Sequence, residues 1–131
     1  MILRAYRNED LERIKQLHAK QGFGFPFPDL DDPVFAVGCV AEEDGEAQMA
    51  AFIRITSEAY LFVDSDHGTP EERWQALLGI HEVVRQNTRD LGLQDVHAFL
   101  PPELGKGFER RLKKLGWGKE EPWRVYSFRV R

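Results

Sequence analysis

The chain has 131 residues, 42% of them hydrophobic and 31% charged, with a formal net charge of −4. That length supports one domain, 1–131, with a proper core and no room for a second. The acidic balance offers no basic field for nucleic acid, and no stretch reads as a membrane span or a signal peptide.

Cys39 is the only cysteine, which excludes an internal disulfide and suits a reducing cytoplasm, the expected location. It lies in the apolar run VFAVGCV, so a buried structural thiol is expected. His18, His67, His81 and His97 have no spacing that suggests zinc, and no metal site is expected.

Ile2–Tyr6 reads as a short strand. Asn8 is placed to cap a helix whose first turn holds Glu9 and Asp10, with Leu11, Ile14 and Leu17 on its core stripe and Gly22 as its stop. GFGFPFPDLDDP carries too much Gly and Pro for a helix or a central strand. Three strands follow as an antiparallel meander. Phe35–Ala41 is nearly all apolar and should be buried on both faces; Asp44-Gly45 turns into Met49–Ile55; Ser57-Glu58 turns again into Tyr60–Val63.

The longest helix has the clearest signals. Thr69 and Glu72 form a capping box with Pro70 at the first helical position, and Gly92 sits at the far end where a left-handed residue is wanted. Trp74, Leu77, Leu78, His81, Val84, Thr88 and Leu91 share one face. A strand at Val96–Leu100 follows, so strand, helix and strand imply a parallel pair. A last helix carries Phe108, Leu112 and Leu115 and ends at Gly116, and Arg124–Val130 alternates as a final strand. The order is β-α-loop-β-β-β-α-β-α-β: an α/β three-layer α-β-α domain whose mixed central sheet joins an antiparallel meander to a parallel strand pair.

Several strings, in this order, resemble the GCN5-related N-acetyltransferase (GNAT) superfamily. ILRAYRNEDLERIKQL is similar to its opening strand and helix, VAEEDGEAQMAAFIRI to the hairpin that begins its meander, and FERRLKKLGW to the helix before its last strands. The resemblance implies an N-acyltransferase that passes an acyl group from acetyl-CoA to an amine, on a small molecule or a protein. It further implies a cofactor arm between the fourth strand, Tyr60–Val63, and Val96–Leu100. The cofactor loop is degenerate. Thr69 stands where the family has a basic or amide residue, Glu72 and Trp74 replace two glycines, and Leu112 stands where a tyrosine would protonate the leaving thiolate. A scaffold that kept the fold and lost the cofactor, serving as a ligand- or protein-binding module, is therefore the alternative.

Acyl transfer needs a base, oxyanion donors and a place for cofactor and acceptor. The candidate bases are His67, Glu58 and Asp64, which flank the fourth strand; an imidazole titrates near neutral pH, while turn-forming is the plain reading of the aspartate. The expected cofactor positions are Phe62, Val63, Asp64, Gly68 and Thr69, with backbone N–H groups near Phe62–Asp64 holding the oxyanion. Phe23, Phe25 and Phe27 read as an acceptor wall or a homodimer contact, or equally as a plug for the core. Lys106, Arg110, Arg111, Lys113 and Lys114 could partner the phosphate of a nucleotide ligand, and read more simply as a solvated basic face.

Overall fold

A computed structural model describes residues 1–119 and 124–131. Strand β1 (Ile2–Ala5) leads through one 3-10 turn (Asn8–Asp10) into helix α1 (Leu11–Gln21). The expected cap moves by two residues. Asp10 rather than Asn8 closes the entry, its carboxylate accepting the Arg7 N–H at 2.9 Å while gripping the Arg4 guanidinium at 2.7 and 2.8 Å. Arg4 also donates to Glu42, so one arginine ties β1 to the helix entry and to β2. Its hydrogen bonds with Arg4 lower the Asp10 carboxyl to about 2, and the carboxylates of Asp10 and Glu42 raise the Arg4 guanidinium further above its ordinary value.

Strands β2 (Phe35–Glu43) and β3 (Glu46–Arg54) form a hairpin, and β1 pairs with β2, all antiparallel in the order β1-β2-β3. Asp44 and Gly45 both take positive φ, 52° and 83°, as the two-residue turn requires. Ile14, Val40 and Ala47 form the buried core between α1 and one sheet face, with Tyr6, Phe27, Leu30, Ala50 and Phe52 packed around them. Gly38 is needed at this face. A Cβ there would meet Phe52 Cε1 at 2.9 Å and Tyr6 Cβ at 3.0 Å, beneath the edge-on contact of the Tyr6 and Phe52 rings.

The opposite face of the sheet is open. Phe35–Ala41 is therefore covered on one side only, and Cys39, expected to be buried, is exposed because it points to the uncovered side.

The second half is built on α2 (Pro70–Asp90), β5 (Val96–His97) and α3 (Lys106–Lys114). Where the sequence suggests a turn, Ser57–Glu58 is strand β4, parallel to β5 through Ser57↔Val96 and Glu58↔His97. Arg54 reaches Asp95 at 2.9 Å, and the Ser57 hydroxyl donates to the Asp95 carbonyl, fixing this pair against the end of β3.

Three strand expectations change. Tyr60–Val63 leaves the sheet and stays unpaired, Val96–Leu100 is a strand only at its first two residues, and Arg124–Val130 forms no strand. The single mixed sheet is instead an antiparallel three-stranded sheet and a small parallel pair. Helix α2 begins and ends as expected. Thr69 Oγ1 accepts from Glu72 N, and Glu72 Oε2 accepts from Thr69 N. At the other end Gly92, at φ 82°, donates to the Arg89 carbonyl and Leu93 N to that of Thr88, the double closure that satisfies the last carbonyls. No helix among the described residues is long and apolar enough to cross a membrane.

Candidate functional site

The start of α2 decides what can bind beside it. A helix offers its first N–H groups to an anion, but here Pro70 has none and those of Thr69 and Glu72 are taken by the reciprocal cap. The Glu71 amide is the donor left in that turn. Gly68, at φ 68°, lets the chain approach the cap so closely that a Cβ would meet Glu72 Oε2 at 2.8 Å. Gly68 and Thr69 thus serve to close the helix, and the loop before it is held by Arg73, which donates to the carbonyls of His67 (3.1 Å) and Gly68 (2.8 Å).

Beside this closed end lies a groove of 310 Å³, a size that suits a small ligand. The extended segment Leu61–Asp64 forms one wall. Trp74, Ala76, Leu77 and Ile80 of α2 form another, and Phe108 with Arg111 of α3 completes it. Amphipathic spacing along α2 is what turns Trp74, Leu77 and Ile80 toward one side. The lining is mostly apolar, with His67, Arg73 and Arg111 against the single carboxylate of Asp64. Among the described residues neither arginine forms a salt bridge, so the groove has a net positive rim. The backbone N–H groups of Leu61, Phe62 and Val63 donate to no carbonyl among the described residues.

Of the expected site residues, the structure brings Phe62, Val63, Asp64 and His67 together in this groove, with Gly68 and Thr69 at its edge. The Asp64 carboxylate is partly engaged, accepting the Asp66 N–H at 3.0 Å in a local turn. Glu58 lies outside. It sits on β4 opposite His97, and its hydrogen bond to the Tyr60 hydroxyl raises that phenol's pKa.

The phenylalanine loop also goes elsewhere. Phe25 and Phe27 pack edge-on against His18, whose Nε2 pairs with the Phe25 carbonyl at 3.0 Å, and Phe27 joins the core. None of Phe23, Phe25 and Phe27 lines the groove, so that segment acts as the core plug, with Phe23 left in solvent.

Two groove residues escaped the sequence reading. Arg73 shows no signal there, because its task is to bind carbonyls of a loop whose path is a tertiary matter. Arg111 is indistinguishable by type from its basic neighbours. His81 is a packing residue as expected, its Nε2 accepting from Trp117 Nε1 at 3.0 Å. No group of three His, Cys, Asp or Glu side chains among the described residues could hold a metal ion.

The chain matches no protein-family model, no curated protein and no solved structure.

Proposed function

We propose that the chain is a GNAT-like N-acyltransferase that binds an acyl-CoA in this groove and passes its acyl group to an amine. The groove itself carries the reading: an apolar trough for a pantetheine arm, two arginines with no carboxylate partner among the described residues, Arg73 keeping Nε and one terminal nitrogen beyond its two carbonyl bonds, and backbone N–H groups along one wall that donate to no described carbonyl. The phosphates would lie toward Arg73 and Arg111, because the helix start is occupied by its own cap. With the thioester beside Phe62–Asp64, the amine nitrogen attacks the carbonyl carbon and the N–H groups of Phe62 and Val63 hold the oxyanion. His67 takes the amine proton, the C–S bond breaks, and the thiolate takes a proton from solvent, since Leu112 has none to give.

The reciprocal cap of Thr69 and Glu72 supports a second reading. A helix start that satisfies itself and carries Glu71 and Glu72 suits a groove that has lost its nucleotide and serves as a binding module. Calorimetric titration with acetyl-CoA separates the two, with desulfo-CoA and ATP as controls. Micromolar binding specific to the CoA ligands supports the acyltransferase. No heat up to about millimolar, where binding is worth only ~4 kcal/mol, refutes it.

A further inference from the structure

Charge is divided unevenly along the chain. Residues 101–131 carry nine Lys or Arg against four Glu, whereas residues 1–100 carry nine against eighteen Asp or Glu, so the last 31 residues are net +5 and the rest −9. Helix α3 gathers part of that excess on one face. At 3.6 residues per turn, Lys106, Arg110, Lys113 and Lys114 fall within an arc of about 100°. The half-buried Phe108, Leu112 and Leu115 take the opposite side, where Phe108 and Leu115 meet α2. All four cations are exposed, and among the described residues none forms a salt bridge, even with Glu109 at the margin of the arc.

The segment 124–131 adds apolar groups to more positive charge. Val125, Tyr126, Phe128 and Val130 are 77, 84, 84 and 85% exposed, interleaved with Arg124, Arg129 and Arg131. Cations alone would suit any polyanion. The phosphates of a nucleic acid would answer the arginines and leave these four apolar side chains in water. The headgroup layer of a membrane takes both, with cations at the lipid phosphates and apolar groups at the acyl boundary. The acidic remainder of the chain does not forbid this approach, because at physiological salt exposed charges more than about 8 Å away are largely screened.

We propose that the basic face of α3 and the segment 124–131 dock the protein on an anionic membrane surface. The nine residues of α3 measure about 14 Å against a hydrocarbon core of about 30 Å, so the helix lies on the surface and does not cross it. Each cation near an anionic surface strengthens binding about fivefold, and the apolar side chains of the tail add a hold that salt does not screen. None of Lys106, Arg110, Lys113 and Lys114 lines the groove, so docking uses no residue of the acyl-CoA site.

Co-sedimentation with vesicles of phosphatidylcholine alone, and with about 30% phosphatidylserine added, tests this. The expected result is binding to the anionic vesicles only, weakened about tenfold or more between about 0.1 and 0.5 M salt. Lys106→Gln, Arg110→Gln, Lys113→Gln and Lys114→Gln together should weaken it about a hundredfold or more. Phe128→Ser with Val130→Ser should weaken it about tenfold and leave the salt dependence as it was. Far-UV circular dichroism shows whether each variant folds; if one does not, the lipid and salt dependence of the wild type decide the matter. Equal retention on both kinds of vesicle, or on neither, overturns the proposal. Binding that either folded variant leaves intact runs through another surface and overturns it too. So does a short DNA duplex that binds the wild type more tightly than the anionic vesicles at the same salt and is lost in the fourfold variant, which makes the face a nucleic-acid contact. No arm uses acetyl-CoA, so the reading of the groove stands or falls separately.

Discussion

The Arg4–Asp10–Glu42 cluster makes acid stability a test of how the N-terminal half is held. Asp10 is nearly buried, and its carboxyl falls from an ordinary 3.8 to about 2, chiefly through its hydrogen bonds with Arg4. A carboxyl whose pKa is lower in the folded state stabilises the fold fully above its unfolded pKa. That contribution fades as pH drops from about 5 through about 2, while Arg4 stays charged throughout. That lowering corresponds to about 2.5 kcal/mol, and partial solvation of the pair brings the figure to about 1–2 kcal/mol. Urea unfolding of wild type and Asp10→Asn between pH 6 and pH 2 measures it, because other carboxylates titrate in both proteins and largely cancel in the difference. The wild type should be more stable at pH 6, and its advantage should shrink by about 1–2 kcal/mol on acidification. Parallel pH profiles would show that the cluster contributes nothing as a charged unit.

Gly38→Ala forces a methyl group against Phe52 and Tyr6 and should cost about 1–3 kcal/mol in urea unfolding. Tyr6→Phe removes a buried hydroxyl that has no partner among the described residues, so stability should hold or rise by up to about 1 kcal/mol, read from the same curves. Glu72→Ala frees the Thr69 N–H and removes a carboxylate worth on the order of 1 kcal/mol against a nearby phosphate. Acetyl-CoA affinity should rise about fivefold in calorimetry, at a stability cost of about 1 kcal/mol; unchanged or weaker binding would mean that no phosphate sits at Arg73, the residue next to Glu72.

What could be read from the residues follows from how far each decision reaches along the chain. Thr69 with Glu72, Gly22, Gly92, Gly116 and the Asp44-Gly45 turn behave as expected because a φ angle or a bond within five residues decides them. Asn8 lost its place as cap to Asp10, since only Asp10 meets both the Arg7 amide and the Arg4 guanidinium. Tyr60–Val63 and Arg124–Val130 have strand composition, yet a strand exists only where a neighbour accepts its bonds, and alternation says nothing about that neighbour. The same holds at the groove. Phe62, Val63, Asp64 and His67 were found together because they are nearly contiguous. Arg111 joins them from α3, and the phenylalanine loop leaves for His18, through contacts between distant segments.

The short parallel pair also sets an order of events. Ser57 and Val96 lie about as far apart in the chain as Ile2 and Glu42, and they meet only once α2 has turned the chain back on itself. Extended, that intervening chain would wander widely; wound into 21 helical residues it spans about 31 Å and narrows the search. With two residues on each strand against nine on each of β2 and β3, the pairing of β4 with β5 should be the first to be undone. The Ala59 amide, bonded to the His97 carbonyl at 2.8 Å, should trade its hydrogen for deuterium through brief local openings while the β2–β3 ladder stays shut. The wall of the groove that begins two residues later is therefore anchored to the most readily loosened hydrogen bonds in the sheets, and a ligand seated there would slow that exchange from a distance.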